Sequence, residues 1–481
     1  QQNGMRRPLS MHQSFLWYDL ETTGTDSVLD RVIQFAGQRT DAELNPIDAP
    51  INFYIKPSVD TLFHPDATRV TGIDPIQLET EGISELEGIA KIQAMFMVPG
   101  TCGVGFNSLK FDDEFVRQSL YRSFFDPYAR EWMNGNSRWD LIDLARMCFS
   151  LRPDGIDWPI RSDGRPSFKL VDLAEANGLS HVKAHDALSD IEATLGLARL
   201  LKRAQPRLFD YYFNLRLKTT VKALLYPLGK QPIVQVAPYF DLDKRFIAPL
   251  LPFLSHPSNG NSIICLNLAV DPDEYVSLSS ADLQQFFALR GDTKHRGPRP
   301  LQTLSLNRSP AVAPISTLDP GWASEWGWTK TELQARVKKI QSCAHLHGAL
   351  LEVFSTQAEV SLRDAEYQLY SGGFISEADR GRFDQVRAQA AMPGQTDIFD
   401  DQRLNDLYFN YKARHYPEAL SSAQRQRWRQ FLEHRWLHEN RLKSLYLRTM
   451  VLRAEHPDDP TLQHLVERFV DQAKQVDLNL N

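Results

Sequence analysis

Asp19 and Glu21 stand two residues apart at the end of the apolar run Phe15-Leu16-Trp17-Tyr18. That run has strand composition. At a period of two, both carboxylates project from the same face. Carboxylates held side by side repel each other, so a cation is expected between them, and oxygen ligands suit a hard divalent ion. Thr22-Thr23-Gly24 then turns the chain and offers hydroxyls and a backbone open to close approach. Taken alone, an Asp-x-Glu pair also fits a strand end with solvated acids.

Later stretches add to the pair. Asp112, in Phe111-Asp112-Asp113-Glu114-Phe115, follows the short apolar strand around Val104 and opens a helix. An acid there is also favoured by the helix dipole alone. In Ala184-His185-Asp186-Ala187-Leu188-Ser189-Asp190, Asp186 opens a long helical pattern and Asp190 lies one turn inside it. His185 just ahead is either a general base or a surface or capping histidine.

The elements that must position these groups are legible. Strands are expected at Phe15–Leu20, Val32–Thr40, Asn52–Lys56 and Cys102–Phe106. Helices are expected at Asp112–Phe124, Leu141–Leu151, Leu170–Asn177 and Asp186–Ala204, with Gly178 as a helix stop. Ser84 and Glu87 have capping-box spacing. Further on, Arg207–Leu225 reads as helical, and Ile233–Ala237, Ser262–Ala269 and Glu274–Leu278 as strands. From about 355 the pattern turns helical: Phe383–Ala391, Arg403–His415, Ser422–Leu452 and Thr461–Val476.

Composition bounds the rest. The 481 residues are 42% hydrophobic and 24% charged, with a formal net charge of −6. These values fit an ordinary soluble protein of several domains. The best apolar run, Ile263–Val270, is strand-sized, and the polar N-terminus lacks a signal-peptide core. Four scattered cysteines argue against a zinc ribbon or a disulfide framework and for a reducing cytoplasm. The acidic total argues against indiscriminate wrapping of long duplex DNA but leaves local basic patches free to bind nucleic acid. Arginines and aromatics interleave over 111–152; such rings stack on bases or pack in the core, and about half should do each.

The order Asp-x-Glu, Phe-Asp, His-x4-Asp resembles the histidine-bearing subclass of the DEDD 3′→5′ exonucleases. The wider chain resembles bacterial exonuclease I, a single-strand DNA exonuclease. The likeness is carried by Asp19–Thr25, Phe111–Glu114, Asn136–Asp140, Leu151-Arg152-Pro153, Pro166–Leu170, Ala184-His185-Asp186, Gln205–Tyr211, Leu369–Phe374 and Phe409–Arg414. It implies an α/β fold: a ribonuclease H-like exonuclease domain with a mixed sheet (12–204), an SH3-like β-rich domain (205–352) and an α-helical C-terminal domain (353–481). It implies Asp19, Glu21, Asp112, His185 and Asp190 as catalytic residues, the four carboxylates holding two Mg²⁺ ions that Mn²⁺ can replace. Glu21, Thr22, Arg117, Tyr128, Trp132, Arg146 and Lys169 match substrate-contacting positions. Lys169 departs from the arginine expected there and lacks its bidentate fork.

Arg152 and Tyr211 match positions that receive the acidic, apolar C-terminal tail of the single-stranded-DNA-binding protein. Read without the resemblance, Arg152 caps a helix and Tyr211 packs between domains. The implied protein is a bacterial, cytoplasmic monomer of DNA repair and recombination. Competing readings are an inactive binding scaffold, against which all five site residues are present, and an RNA-trimming or proofreading relative, against which the chain is long.

Overall fold

The computed structural model describes residues 13–180, 186–291, 298–319, 325, 327–355 and 364–480. Among these, contacts divide the chain into two compact units. The first takes 13–137, 186–192 and 364–480; the second takes the remainder.

The first unit is built on β1 (Ser14–Thr22), which is buried along almost its whole length. β2 (Val32–Thr40) pairs antiparallel with it, and β3 (Ile51–Lys56) pairs antiparallel with β2. The two-residue β4 (Ile83–Ser84) runs parallel to β3, and β5 (Thr101–Gly105) parallel to β1. With β6 (Ser137–Asp140), which carries the chain into the second unit, the sheet order is β4-β3-β2-β1-β5-β6. This is the mixed sheet expected of the ribonuclease H-like arrangement. Its meander and parallel partner put β1 in the interior, so apolar residues occupy both of its faces.

One layer over this sheet joins Leu16, Tyr18, Leu20 and Phe35 to Ile89, Ile92 and Phe96 of helix Glu85–Met97 and to Phe115 and Leu120 of helix Asp112–Arg122. Ser84 caps the first of these helices, accepting from the Glu87 N–H as its spacing predicts. The other layer comes from far along the chain. Ile33, Leu62, Phe63, Ile73 and Leu78 share one core with Phe409, Trp436, Leu445, Leu465 and Phe469. The last third of the sequence therefore completes the hydrophobic core of the unit that starts it.

A buried ion network fastens the same two segments. The Asp60 carboxylate, fully buried, accepts from Arg414 at 2.7 and 2.9 Å and from Arg31 at 3.3 Å. Glu366 accepts from Arg414 at 2.7 Å and from Arg435 at 3.0 Å. Burial would raise both acids, but the surrounding guanidinium groups hold Asp60 and Glu366 well below the usual carboxylate range. Removing one member would strand a buried charge, which typically costs about 3–5 kcal/mol.

The second unit carries a five-stranded antiparallel sheet in the order β10-β9-β8-β7-β11: β7 (Ile233–Val236), β8 (Ile247–Ser255), β9 (Ser262–Asn267), β10 (Leu301–Ser305) and β11 (Val312–Pro314). Helices Leu141–Leu151 and Pro206–Asn214 lie in the same unit, and Trp139 is enclosed by Phe209, Tyr212 and Phe213 at 5.2 to 5.6 Å. Three expectations are corrected here. Glu274–Leu278 is not a strand, because Asp271 and Pro272 start a short 3-10 turn there. Arg207–Leu225 is broken into Pro206–Asn214 and Lys218–Leu225. In the first unit, Ser422–Leu452 is broken where Glu439 and Asn440 take φ values of 53° and 54°. Gly178 does stop helix Leu170–Ala176, at φ 62°.

His415 ends helix Gln402–His415 beside this ion network, and burial pushes its imidazole down to about 4. The unfolded chain takes up that proton near pH 6.5. Between these values the unfolded state binds more protons, so stability falls as pH drops through the window. Relative to His415→Gln, the wild-type chain should lose about 2 kcal/mol between pH 7 and pH 5. Urea unfolding of both proteins at the two pH values measures it. Parallel losses would remove His415 as the source.

Candidate active site

β1 ends in an irregularity. Its register with β2 is regular as far as Glu21 opposite Gln34, then slips between Glu21 and Thr22. A bulge of this kind re-aims side chains at a strand end. Thr22 donates to the Gly24 carbonyl at 2.7 Å, and Thr23 exchanges hydrogen bonds with Arg31. Gly24 has no room for a side chain, since a Cβ would run into Asp30 and His64.

Asp19, Glu21 and Asp190 each offer an oxygen within 4.8 Å of the others. Asp190 comes from the first turn of helix Ala187–Ala204. Asp112, buried at the first position of helix Asp112–Arg122, completes the group electrostatically, raising both Asp19 and Glu21. Burial is the largest cause of these shifts, followed by the neighbouring carboxylates. Together they lift Asp19 well above its ordinary value and Glu21 to about 9. Such acids cannot all be ionised together without compensation. An all-oxygen donor set of this charge fits a hard divalent cation.

Two neighbours sharpen the arrangement. Asp113, adjacent to Asp112, is fully buried and faces elsewhere: it accepts from Arg130 at 2.6 Å and from the Tyr18 hydroxyl at 3.1 Å. One acid of the pair thus serves the cluster while the other anchors the helix to β1. Asp186 is the residue that sequence reasoning passed over as a helix opener. It caps the helix, accepting from Ser189 N–H at 3.3 Å, and also raises both Asp19 and Glu21. Its place beside His185 was the available signal.

His185 lies outside the described residues. Arg117 is buried and engaged, with Glu114 at 2.9 Å, Glu131 at 2.8 Å and the Tyr370 hydroxyl at 2.8 Å. Its guanidinium lies 5.3 Å from the Tyr128 ring centre. Trp132 is exposed. In the second unit, Arg146 is paired with Asp143 at 2.7 Å and lies 5.9 Å from the Phe168 ring, while Lys169 is exposed at the start of helix Leu170–Ala176. Arg152 ends helix Leu141–Leu151 and donates to the Thr317 carbonyl at 3.0 Å; the Tyr211 hydroxyl donates to the Val312 carbonyl at 3.0 Å. Both line a cavity of about 460 Å³.

Because Asp19 and Glu21 are raised toward protonation, binding of a cation beside them should displace protons. Titrating the metal-free protein with Mg²⁺ at pH 7 should release protons, and Glu21→Gln should release fewer. Calorimetry in buffers of different ionisation enthalpy reads this directly. Equal release from both proteins would remove Glu21 from the site.

Comparison with known proteins adds the family. Three family models match in succession: an exonuclease model over 16–198, the exonuclease I SH3-like domain over 216–356 and the exonuclease I C-terminal domain over 363–476. Exodeoxyribonuclease I of Escherichia coli (strain K12) is 38% identical over 88% of this chain and 89% of its own. The crystal structure of E. coli exonuclease I in complex with a dA16 oligonucleotide matches with a TM-score of 0.88 at 35% identity, covering 96% of this chain and 100% of that one. The zinc-bound form of an E. coli exonuclease I–single-stranded DNA complex matches with a TM-score of 0.87 at 35% identity, over 97% and 100% of the two chains. The carboxylates converging on one strand end, the sheet that carries them and the succession of all three domain models make this chain a member of the exonuclease I family, a metal-dependent nuclease.

Proposed function

We propose that the chain hydrolyses single-stranded DNA in the 3′→5′ direction, releasing 5′-mononucleotides, with two Mg²⁺ ions. The observation that carries this reading is the convergence of Asp19, Glu21 and Asp190 beside Asp112. These four carboxylates would hold the ions. Bound there, divalent cations supply charge neutralisation and water activation at the scissile phosphate. His185 accepts the proton of the attacking water, a task suited to an imidazole near neutral pH. Glu21 and Thr22 receive the terminal 3′-hydroxyl.

Tyr128, Trp132, Arg146 and Lys169 contact the strand, and Arg117 reaches a phosphate by exchanging one of its present partners. A duplex must melt before its bases can splay onto aromatic rings, at roughly 1 kcal/mol or more per step, so blunt duplex is a poor substrate. The relatives crystallised with oligonucleotides support the choice of DNA. The protein acts as a cytoplasmic monomer in repair and recombination; its four free cysteines agree with a reducing compartment.

A 5′-labelled single strand incubated with Mg²⁺ should give a ladder shortening from the 3′ end, abolished by chelator. Asp190→Ala should lower the rate at least about a thousandfold with an unchanged circular dichroism spectrum. Early loss of the 5′ label, or full activity of the variant, would contradict the assignment.

The cavity at Arg152 and Tyr211 is proposed to take the C-terminal tail of the single-stranded-DNA-binding protein. Such a tail needs a cation for its carboxylate and an apolar wall beside it. Arg152 and Arg207 supply the charge, and Pro206 and Leu208 the wall. A second cavity of about 620 Å³ in the same unit sets Lys230, Lys330 and Lys338 around Pro232, Leu333 and Val337. Arg152→Ala should lose the stimulation seen on protein-coated DNA while digesting bare strands normally. Equal slowing on both would return Arg152 to the fold or to the DNA path.

A further inference from the structure

Single exposed apolar side chains need no explanation on a protein surface, but Phe374 is held out on purpose-built backbone. Its relative exposure is 102%, and it follows Gly372-Gly373. Arg403, itself buried, donates to the carbonyls of Gln368 at 2.9 Å and Gly373 at 3.3 Å, with its fork fixed on Asp401 at 2.7 Å. A Cβ on Gly372 would run into that guanidinium, and Gly373 sits at φ +77°. The loop is therefore tied to Arg403 in a conformation that leaves the Phe374 ring exposed.

Its other end is pinned to the helix of Asp112. The Tyr370 hydroxyl donates to Glu114, two residues after Asp112, and accepts from Arg117 at 2.8 Å. The Tyr370 ring remains 56% exposed with the Arg117 guanidinium 6.0 Å from its centre. Arg117 also lies against Tyr128, four residues before Trp132, which is 62% exposed. Exposed rings tied by Tyr370 and Arg117 to the helix of Asp112 are what a single strand needs for stacking.

We propose that Tyr370 and Phe374, supplied by the C-terminal part of the chain, are a stacking platform for bases of the single strand entering the site. This rests on the reading of the substrate as single-stranded DNA. Phe374 acts by positioning the strand and touches no reacting atom.

The test uses the full chain in chelator, so that binding is observed without hydrolysis. Oligo-dT strands carry one 2-aminopurine, walked outward from the 3′ end. One or two adjacent positions should be strongly quenched in the wild type. Phe374→Ala should abolish quenching there and weaken binding about tenfold, and Phe374→Trp should restore both. An abasic site at the same position should weaken the wild type and leave Phe374→Ala indifferent, because the two losses share one contact. Identical quenching and abasic profiles in wild type and Phe374→Ala would overturn the proposal and point to a protein occupant of the loop. Failure of the wild type to bind any strand would overturn the substrate reading as well, and is distinguished by being independent of the variant.

Discussion

Mutual repulsion among buried carboxylates is the constraint on which this structure depends. Asp19, Glu21, Asp112, Asp186 and Asp190 are brought within electrostatic range at one strand end, and the oxygens of Asp19, Glu21 and Asp190 lie within 4.8 Å of one another. Burial and the neighbouring carboxylates raise Asp19 and Glu21 above their ordinary range. Divalent cations bound there would favour the ionised forms of Asp19 and Glu21. The charge that makes the site costly is thus what makes it a site.

Holding such a group together demands a stiff support. β1 supplies it by lying between β2 and β5, with its register broken only where Glu21 gives way to Thr22. Asp113, Arg130 and Tyr18 lock the helix of Asp112 to that strand. Beneath the sheet, the Asp60–Arg414–Glu366 network and a shared apolar core make the C-terminal helices part of the nuclease unit. The nuclease strands alone would expose Phe63 and Ile73 and leave Asp60 without two of its arginines. Residues 13–137 and 186–192, which carry the carboxylates, and 364–480, which pack beneath them, belong to one compact unit.

Much of this was legible in the sequence, because periodicity and charge spacing are local signals. The strand of Asp19 and Glu21, the helix opening at Asp112 and the turn from Asp186 to Asp190 all read correctly from their patterns. What escaped was set by distant partners or by local exceptions. β8 carries Pro249 and Pro252, residues that argue against an interior strand; Pro252 sits where the β8–β9 register slips, while Pro249 pairs regularly with Val234. Glu439 and Asn440 break a helix through left-handed backbone that nothing in their composition demands. Arg117 reads as a free cation until Glu131 and Tyr370 are seen to surround it. No periodicity can report that Asp60 will meet Arg414.

The most direct test counts ions where the carboxylates converge. Electron paramagnetic resonance of the protein with Mn²⁺ and a non-hydrolysable single strand should reveal two spin-coupled ions per chain, and Asp190→Asn should abolish the coupling. Two magnetically isolated Mn²⁺ ions, or a coupled pair that survives loss of the Asp190 charge, would contradict a cluster whose purpose is to hold cations together.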